Sequence, residues 1–268
     1  MQAALELVDE WPVDRVAVAV VGDAGVLASR GPVDGPFELA SVTKLLSAMT
    51  VLVAIEEGTL DLDGAAGPEG STIRHLLAHA SGLAPDGAVL GPPGSRRVYA
   101  NAGYDVLGQE LETAAGLAFD RYLTEAVRDP RDMTATRLNG SPAFAGVGTG
   151  TDLTRFAAEL LAPTLVASEP LRAATQVQFP GLTGVLPGYG RQDPNDWGLG
   201  FELRSSKAPH WTAPGASPAT FGHFGASGTF LWVDPERRLA CACLTDRPFG
   251  EWAVPRWPVL SQAVLDAD

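Results

Sequence analysis

Segments that read as β-strand fall near the two ends of this chain with a long helical stretch between them, and that arrangement constrains the fold more than any other feature. Val16–Val21 is a continuous apolar run, followed by the turn Gly22-Asp23-Ala24-Gly25 and a second short run at Val26–Ser29, the pattern of a β-hairpin. Far downstream, "DWGLGFEL", "TFGHFGA", "GTFLWVD" and "RLACACLT" are short runs rich in aromatic and β-branched residues, with "DPERR" as the turn between the last two. From Ser41 to about residue 190 the pattern is helical. A helix from about Ser41 ends at Gly58, and "STIRHLLAHASG", "NAGYDVLGQELETAAG", "AFDRYLTEAVRDP", "TGTDLTRFAAELLAP" and "SEPLRAATQVQ" follow. Each of these five opens on Ser, Thr, Asn or Asp near its start or stops at Gly or Pro. "PVLSQAVLDAD" closes the chain as a helix.

The expected fold class is therefore α/β (α+β): an antiparallel sheet built from both termini and flanked by helices, plus an inserted mainly helical lobe. In residue terms the sheet lobe is 1–48 and 195–268 and the helical lobe 49–194, one domain overall. A chain of 268 residues is long enough to bury a core of that size.

Charge and cysteine usage narrow the function classes. A net charge of -13 argues against nucleic acid and anionic membrane surfaces as partners, because both repel an acidic protein. No apolar run reaches the roughly 18 residues of a membrane span. The segment "MQAALELVDEW" has neither the basic nor the apolar region of a secretion signal, so a cytoplasmic location is expected. Cys241 and Cys243 lie two apart in a strand, on one face but poorly placed to bridge each other, and read as buried thiols. The expected partner is a small-molecule substrate, with no cofactor and no metal; oligomeric state is left open.

Lysine is scarce, with only Lys44 and Lys207 in the chain, and Lys44 heads the apolar helix "ASVTKLLSAMTVLVAIEEG" three residues after Ser41. Positions i and i+3 of a helix share a face, so an amine at Lys44 can reach the Ser41 hydroxyl. A serine is a weak nucleophile until a neighbouring base takes its proton, and a helix N-terminus favours developing negative charge. The bland alternative is a lysine that snorkels to solvent. Tyr99 and Asn101 stand one residue apart in "SRRVYANAGYDVLG", where a packing tyrosine and an asparagine cap are the ordinary reading. His223 and Gly225 lie in "GHFGASGTFLWVDPE", on a strand where a glycine lets a ligand approach closely, although His-x-Gly alone carries little weight.

Together and in this order, "SVTK", "YAN" and "HFG" resemble the three active-site motifs of the class C β-lactamase superfamily of serine hydrolases, which includes DD-peptidases and esterases. The flanking "FELASVTK", "IRHLLAHASGL", "GSRRVYANAGYDVLG" and "DWGLGF" are similar to family segments too, so the resemblance runs from about Val16 to the last strand. It implies a β-lactamase/transpeptidase-like fold and an acyl-enzyme formed on an amide or ester carbonyl. Ser41 would be the nucleophile and Lys44 its proton-shuttling partner. Tyr99 would be general base and acid, its phenol acidified by the Lys44 charge. Asn101 would offer its amide to the substrate, and His223 would bring polarity or charge beside it. Gly225 allows close approach, and the Ser41 and Ala226 backbone N–H groups would form the oxyanion hole.

Phe224 departs from the pattern, standing where a hydroxyl residue is common, and favours a more apolar ligand. A carboxylesterase on small acyl esters is the alternative within enzymes, and a non-catalytic penicillin-binding-like relative the alternative outside them. His75 and His79 have the i, i+4 spacing of two zinc ligands, but Leu76 stands where a metalloprotease has glutamate. Trp197 and Trp232 read as strand packing.

Overall fold

The computed structural model describes residues 1–268. Six antiparallel strands form the central sheet: β1 (Val16–Gly22), β2 (Gly25–Arg30), β3 (Glu202–Leu203), β4 (Phe221–Gly225), β5 (Thr229–Asp234) and β6 (Leu239–Thr245), in the order β2-β1-β6-β5-β4-β3. The two ends of the chain do meet, since Val16 pairs with Thr245 and Val21 with Ala240. All of β6 is buried because the sheet is covered on both faces, so its side chains supply two cores in alternation. Ala240, Ala242 and Leu244 join the larger core, whereas Leu239, Cys241 and Cys243 join the smaller one on the opposite face. Both cysteines are free and buried.

The larger core lies between the sheet and the helices of the middle of the chain. Helix α1 (Thr43–Glu56) is buried at every position from Thr43 to Ala54, which explains its apolar character all round. Helices α2 (Asn101–Ala115) and α3 (Gly150–Leu161) pack around it and across the sheet. Thr149 caps α3 by accepting from the Asp152 N–H, and Gly116, at φ 65, ends α2. On the opposite face, α4 (Ala253–Asp266) covers the smaller core together with the first ten residues. Those ten residues form a short helix, Gln2–Leu5, and a 3-10 turn, Glu6–Glu10, which the sequence patterns did not indicate.

Several expected elements are shorter than their patterns. "STIRHLLAHASG" is helical only over Ile73–Leu77 and stops as His79 turns to φ 52. "AFDRYLTEAVRDP" begins as α-helix, Phe119–Leu123, and widens into a π-turn over Thr124–Arg128. "DWGLGFEL" supplies only the two residues of β3, because Gly200, at φ +89, turns the chain against Ala48, where a Cβ would meet the alanine methyl at 2.2 Å. Ser41 itself precedes α1, in the 3-10 turn Ala40–Val42.

Candidate active site

The turn before α1 holds Ser41 under strain. Ala40 adopts φ 43, a region a non-glycine residue rarely enters, and such strain persists only where surrounding packing imposes it. Gly225 at the end of β4 supplies part of that packing, since a Cβ there would lie 2.5 Å from the Leu39 carbonyl oxygen and 3.0 Å from the Ala40 methyl. Glycine is therefore required in β4 to admit the turn that carries Ser41. Thr229 Oγ1 donates to the same Leu39 carbonyl, and Ser227 Oγ to that of Glu38, which ties the turn to the sheet.

Lys44 is 0% exposed, in contrast to a snorkelling lysine. Its Nζ lies 2.7 Å from Asn101 Oδ1, 2.8 Å from the Ala143 carbonyl oxygen and 3.3 Å from Ser41 Oγ. Burial lowers its pKa to about 7, partly opposed by the charge of Asp105, so the neutral amine is well populated at neutral pH. A neutral amine has two N–H groups and one lone pair. The two carbonyl oxygens take the N–H groups, and the lone pair is left for Ser41.

Tyr99 arrives from the segment before α2 and donates to Ser41 Oγ at 2.6 Å. Ser41 thus accepts from the phenol and keeps its own proton for Lys44. The expected acidification of Tyr99 does not occur. Desolvation pushes its pKa above the ordinary phenol value, outweighing the hydrogen bond to Ser41, so Tyr99 is a neutral donor. Asn101 does not cap α2 either: the N-cap is Ala100, and the Asn101 side chain turns to Lys44.

His223 lies 5.8 Å, centroid to centroid, from Tyr99. Its Nδ1 donates to the Phe224 carbonyl at 2.6 Å, and burial, then Lys44, lower its pKa to about 3. The ring is therefore neutral, and it brings polarity but no charge. Phe224 alternates to the other face of β4, packing on Phe249 and Trp257 at 5.0 and 5.7 Å. The Ser41 and Ala226 backbone N–H groups find no acceptor within the protein, and both residues border one pocket of about 130 Å³. That pocket is walled mainly by Tyr99, Trp197, Phe224, Phe249 and Leu186.

Three residues at the site, Trp197, His79 and Glu202, were not read as part of it from the sequence. Trp197, expected to be packing, borders the pocket and meets the His79 ring edge-on at 4.7 Å. His79 lies against Tyr99 with the rings tilted at 46° and centroids 4.6 Å apart, and accepts from the Ala100 N–H, while His75 pairs with Thr72, so the two histidines do not converge. Glu202, on β3, borders the pocket as a carboxylate bonded to Lys207, His210 Nε2 (2.9 Å) and Trp211 Nε1 (2.9 Å). Burial raises its pKa, but His210 and Lys207 together outweigh this and bring it to about 2. The available signal was the second lysine, Lys207, also buried.

Residues 10–264 match the family model described as Beta-lactamase. The structure superimposes on a β-lactamase from Mycobacterium bovis with a TM-score of 0.97 and 54% identity, covering 98% of both chains. It also superimposes on EstCE1, described as a hydrolase with promiscuous acyltransferase activity, at TM-score 0.79 over 97% of this chain and 96% of that one; at 17% identity this likeness concerns the fold alone. A Salmonella newport protein provisionally named D-alanyl-D-alanine carboxypeptidase is 24% identical over 225 residues, 61% of this chain and 48% of its own. The chain thus spans about half the length of the curated relatives it matches.

Proposed function

This chain belongs to the β-lactamase family, and from that premise we propose that it is a serine hydrolase that cleaves an ester or amide carbonyl through an acyl-enzyme on Ser41. The observation that supports the reading is the buried Lys44 amine, its pKa lowered to about 7, with Nζ 3.3 Å from Ser41 Oγ and Tyr99 at 2.6 Å from the same oxygen. In acylation Lys44 takes the Ser41 proton as Oγ attacks the carbonyl carbon, and the oxyanion settles against the Ser41 and Ala226 N–H groups. Donors of that kind are typically worth roughly 3 kcal/mol each. The proton passes from Lys44 by way of the Tyr99 hydroxyl to the leaving oxygen or nitrogen as its bond to the acyl carbon breaks. Water then attacks the acyl carbon, gives its proton to the same pair, and the acid is released while Ser41 regains its proton. Asn101 holds the amine in place throughout.

Within this reading the apolar pocket favours small acyl esters over carboxylate-bearing β-lactams. Phe224 and Phe249 line it, and the His223 ring is uncharged, so it offers no cation to a carboxylate. D-alanyl-D-alanine carboxypeptidase-type and β-lactamase-type activity remain the other outcomes of the same chemistry. The test is intact-mass analysis after incubation with a fluorophosphonate, followed by turnover of p-nitrophenyl acetate and of a chromogenic cephalosporin. A single adduct that disappears in Ser41→Ala, with ester turnover faster than β-lactam turnover, is expected. An adduct that persists in Ser41→Ala refutes the assignment.

A further inference from the structure

Helix α2 presents Asn101 and, one turn later on the same face, Asp105. Asn101 holds the Lys44 amine directly. Asp105 reaches the same amine in three steps: its Oδ1 accepts from Ser141 Oγ at 2.5 Å, Ser141 Oγ accepts from the Ala143 N–H at 3.1 Å, and the Ala143 carbonyl oxygen lies 2.8 Å from Lys44 Nζ. The loop that carries this carbonyl is tied to α1 as well, since Ser47 Oγ donates to the Pro142 carbonyl at 2.7 Å and Thr43 Oγ1 accepts from the Gly146 N–H at 3.0 Å. Asp105 and Ser141 border a separate hollow of about 590 Å³, not the pocket that Ser41 and Ala226 border, so neither is placed to touch a substrate.

From this relay we infer that Asp105 is a positioning residue for Lys44: through Ser141 it fixes the carbonyl that aims the amine at Ser41, and its negative charge offsets the ammonium that forms there when Ser41 gives up its proton. This rests on the serine hydrolase reading and adds to it the group that sets the strength of its base. Two arguments converge. In acylation the Ser41 O–H bond breaks and an N–H bond forms on Lys44, so a cation appears in a buried place, where it is costly unless an opposite charge lies near. The other titratable groups turned to Lys44 supply no such charge. Tyr99, on the segment before α2, and Tyr104, on α2, have ring centroids 4.7 and 5.3 Å from Nζ, and burial keeps both phenols protonated. His79, after the short helix Ile73–Leu77, and His223, on β4, are imidazoles that burial keeps neutral. Asp105 is the charge that acts on the amine, raising its pKa against the effect of burial. A latch for the loop alone would need only an acceptor for Ser141; a carboxylate adds the charge.

The experiment records kcat/KM for p-nitrophenyl acetate against pH in the wild type, Asp105→Asn and Ser141→Ala. Asp105→Asn keeps an acceptor for Ser141 and loses the charge, so the midpoint of its profile is expected to fall by about 0.3 or more, which a purely structural latch would not produce. A smaller fall overturns the role of the charge. Ser141→Ala keeps the charge and cuts the relay, and its plateau is expected to drop about fivefold or more as the amine loses its aim. A smaller drop overturns the relay. Because the chain has only two lysines, an NMR titration of the lysine side-chain carbons, with Lys44→Met assigning the signals, reads the Lys44 midpoint with no substrate present. If the wild type neither turns over the ester nor takes a fluorophosphonate, the hydrolase reading fails, and this titration still decides on Asp105: a midpoint lowered in Asp105→Asn upholds its action on Lys44, and an unchanged one refutes it. Thermal unfolding checks that both variants are folded, and Asp105→Ser or Ser141→Gly replaces one that is not.

Discussion

At the scale of single residues, the site depends on one buried amine being held neutral. Burial lowers the Lys44 pKa from 10.5 to about 7, so the folded chain resists protonating a group the unfolded chain protonates readily. Between those two values the unfolded state binds more protons, and stability rises with pH; below about 7 the full cost of the buried charge is present. In the proposed mechanism activity follows the same group with the same sign, since the neutral amine acts as the base. The kcat/KM profile is expected to rise through about pH 7 and then stay level, because the Tyr99 phenol titrates above its ordinary range. A profile that falls again between pH 8 and 10 would show the phenol ionising during turnover and contradict this assignment. Lys44→Met is expected to lower acylation by roughly a hundredfold to ten-thousandfold while raising Tm at pH 6, measured by burst kinetics and calorimetry.

At the scale of elements, the site is an agreement between a helix turn and a strand end. Gly225→Ala places a methyl 2.5 Å from the Leu39 carbonyl and pushes on the strained Ala40. The expected result is a stability loss of about 1–3 kcal/mol, as for other overpacked sites, with a larger proportional loss of acylation rate. Denaturant unfolding and fluorophosphonate labelling measure the two, and unchanged labelling would show that the strand does not set the serine. This is also the scale at which the sequence was most legible. Ser41 and Lys44 sit one turn apart, and His223 and Gly225 lie on one strand with Ala226 in the turn that follows it, so local geometry alone brings each group together. The contact of Tyr99 with Ser41 spans 58 residues and was legible only through the resemblance. Asn101 was read as a cap because caps are set locally, whereas its real partner lies 57 residues away. Trp197 was read as packing, and Glu202 was not noticed, for the same reason. Their places depend on the glycine turn at Gly200, and an acid in "GFEL" looks like any strand residue.

At the scale of the whole molecule, the sheet that closes the chain on itself also carries a buried ionic cluster to the floor of the site. Glu202 is held by Lys207, His210 and Trp211, all of them buried, and removing its charge leaves the lysine uncompensated. Glu202→Gln is expected to cost about 3–5 kcal/mol of stability, read by chemical denaturation. For the wild type the sign is the usual carboxylate one. A folded pKa of about 2 against 4.5 gives stabilisation that is complete above pH 4.5 and lost as pH falls toward 2, and the Glu202→Gln chain lacks that acid limb. A variant of unchanged Tm would mean the cluster is dispensable.

Because the chain's only two lysines, Lys44 and Lys207, are both withdrawn into the interior, its folded exterior offers no side-chain amine. Acetylation, ubiquitin attachment and amine-directed crosslinking have no lysine to act on while the protein stays folded, and every positive side chain it shows to a lysine-modifying enzyme is a guanidinium or an imidazole.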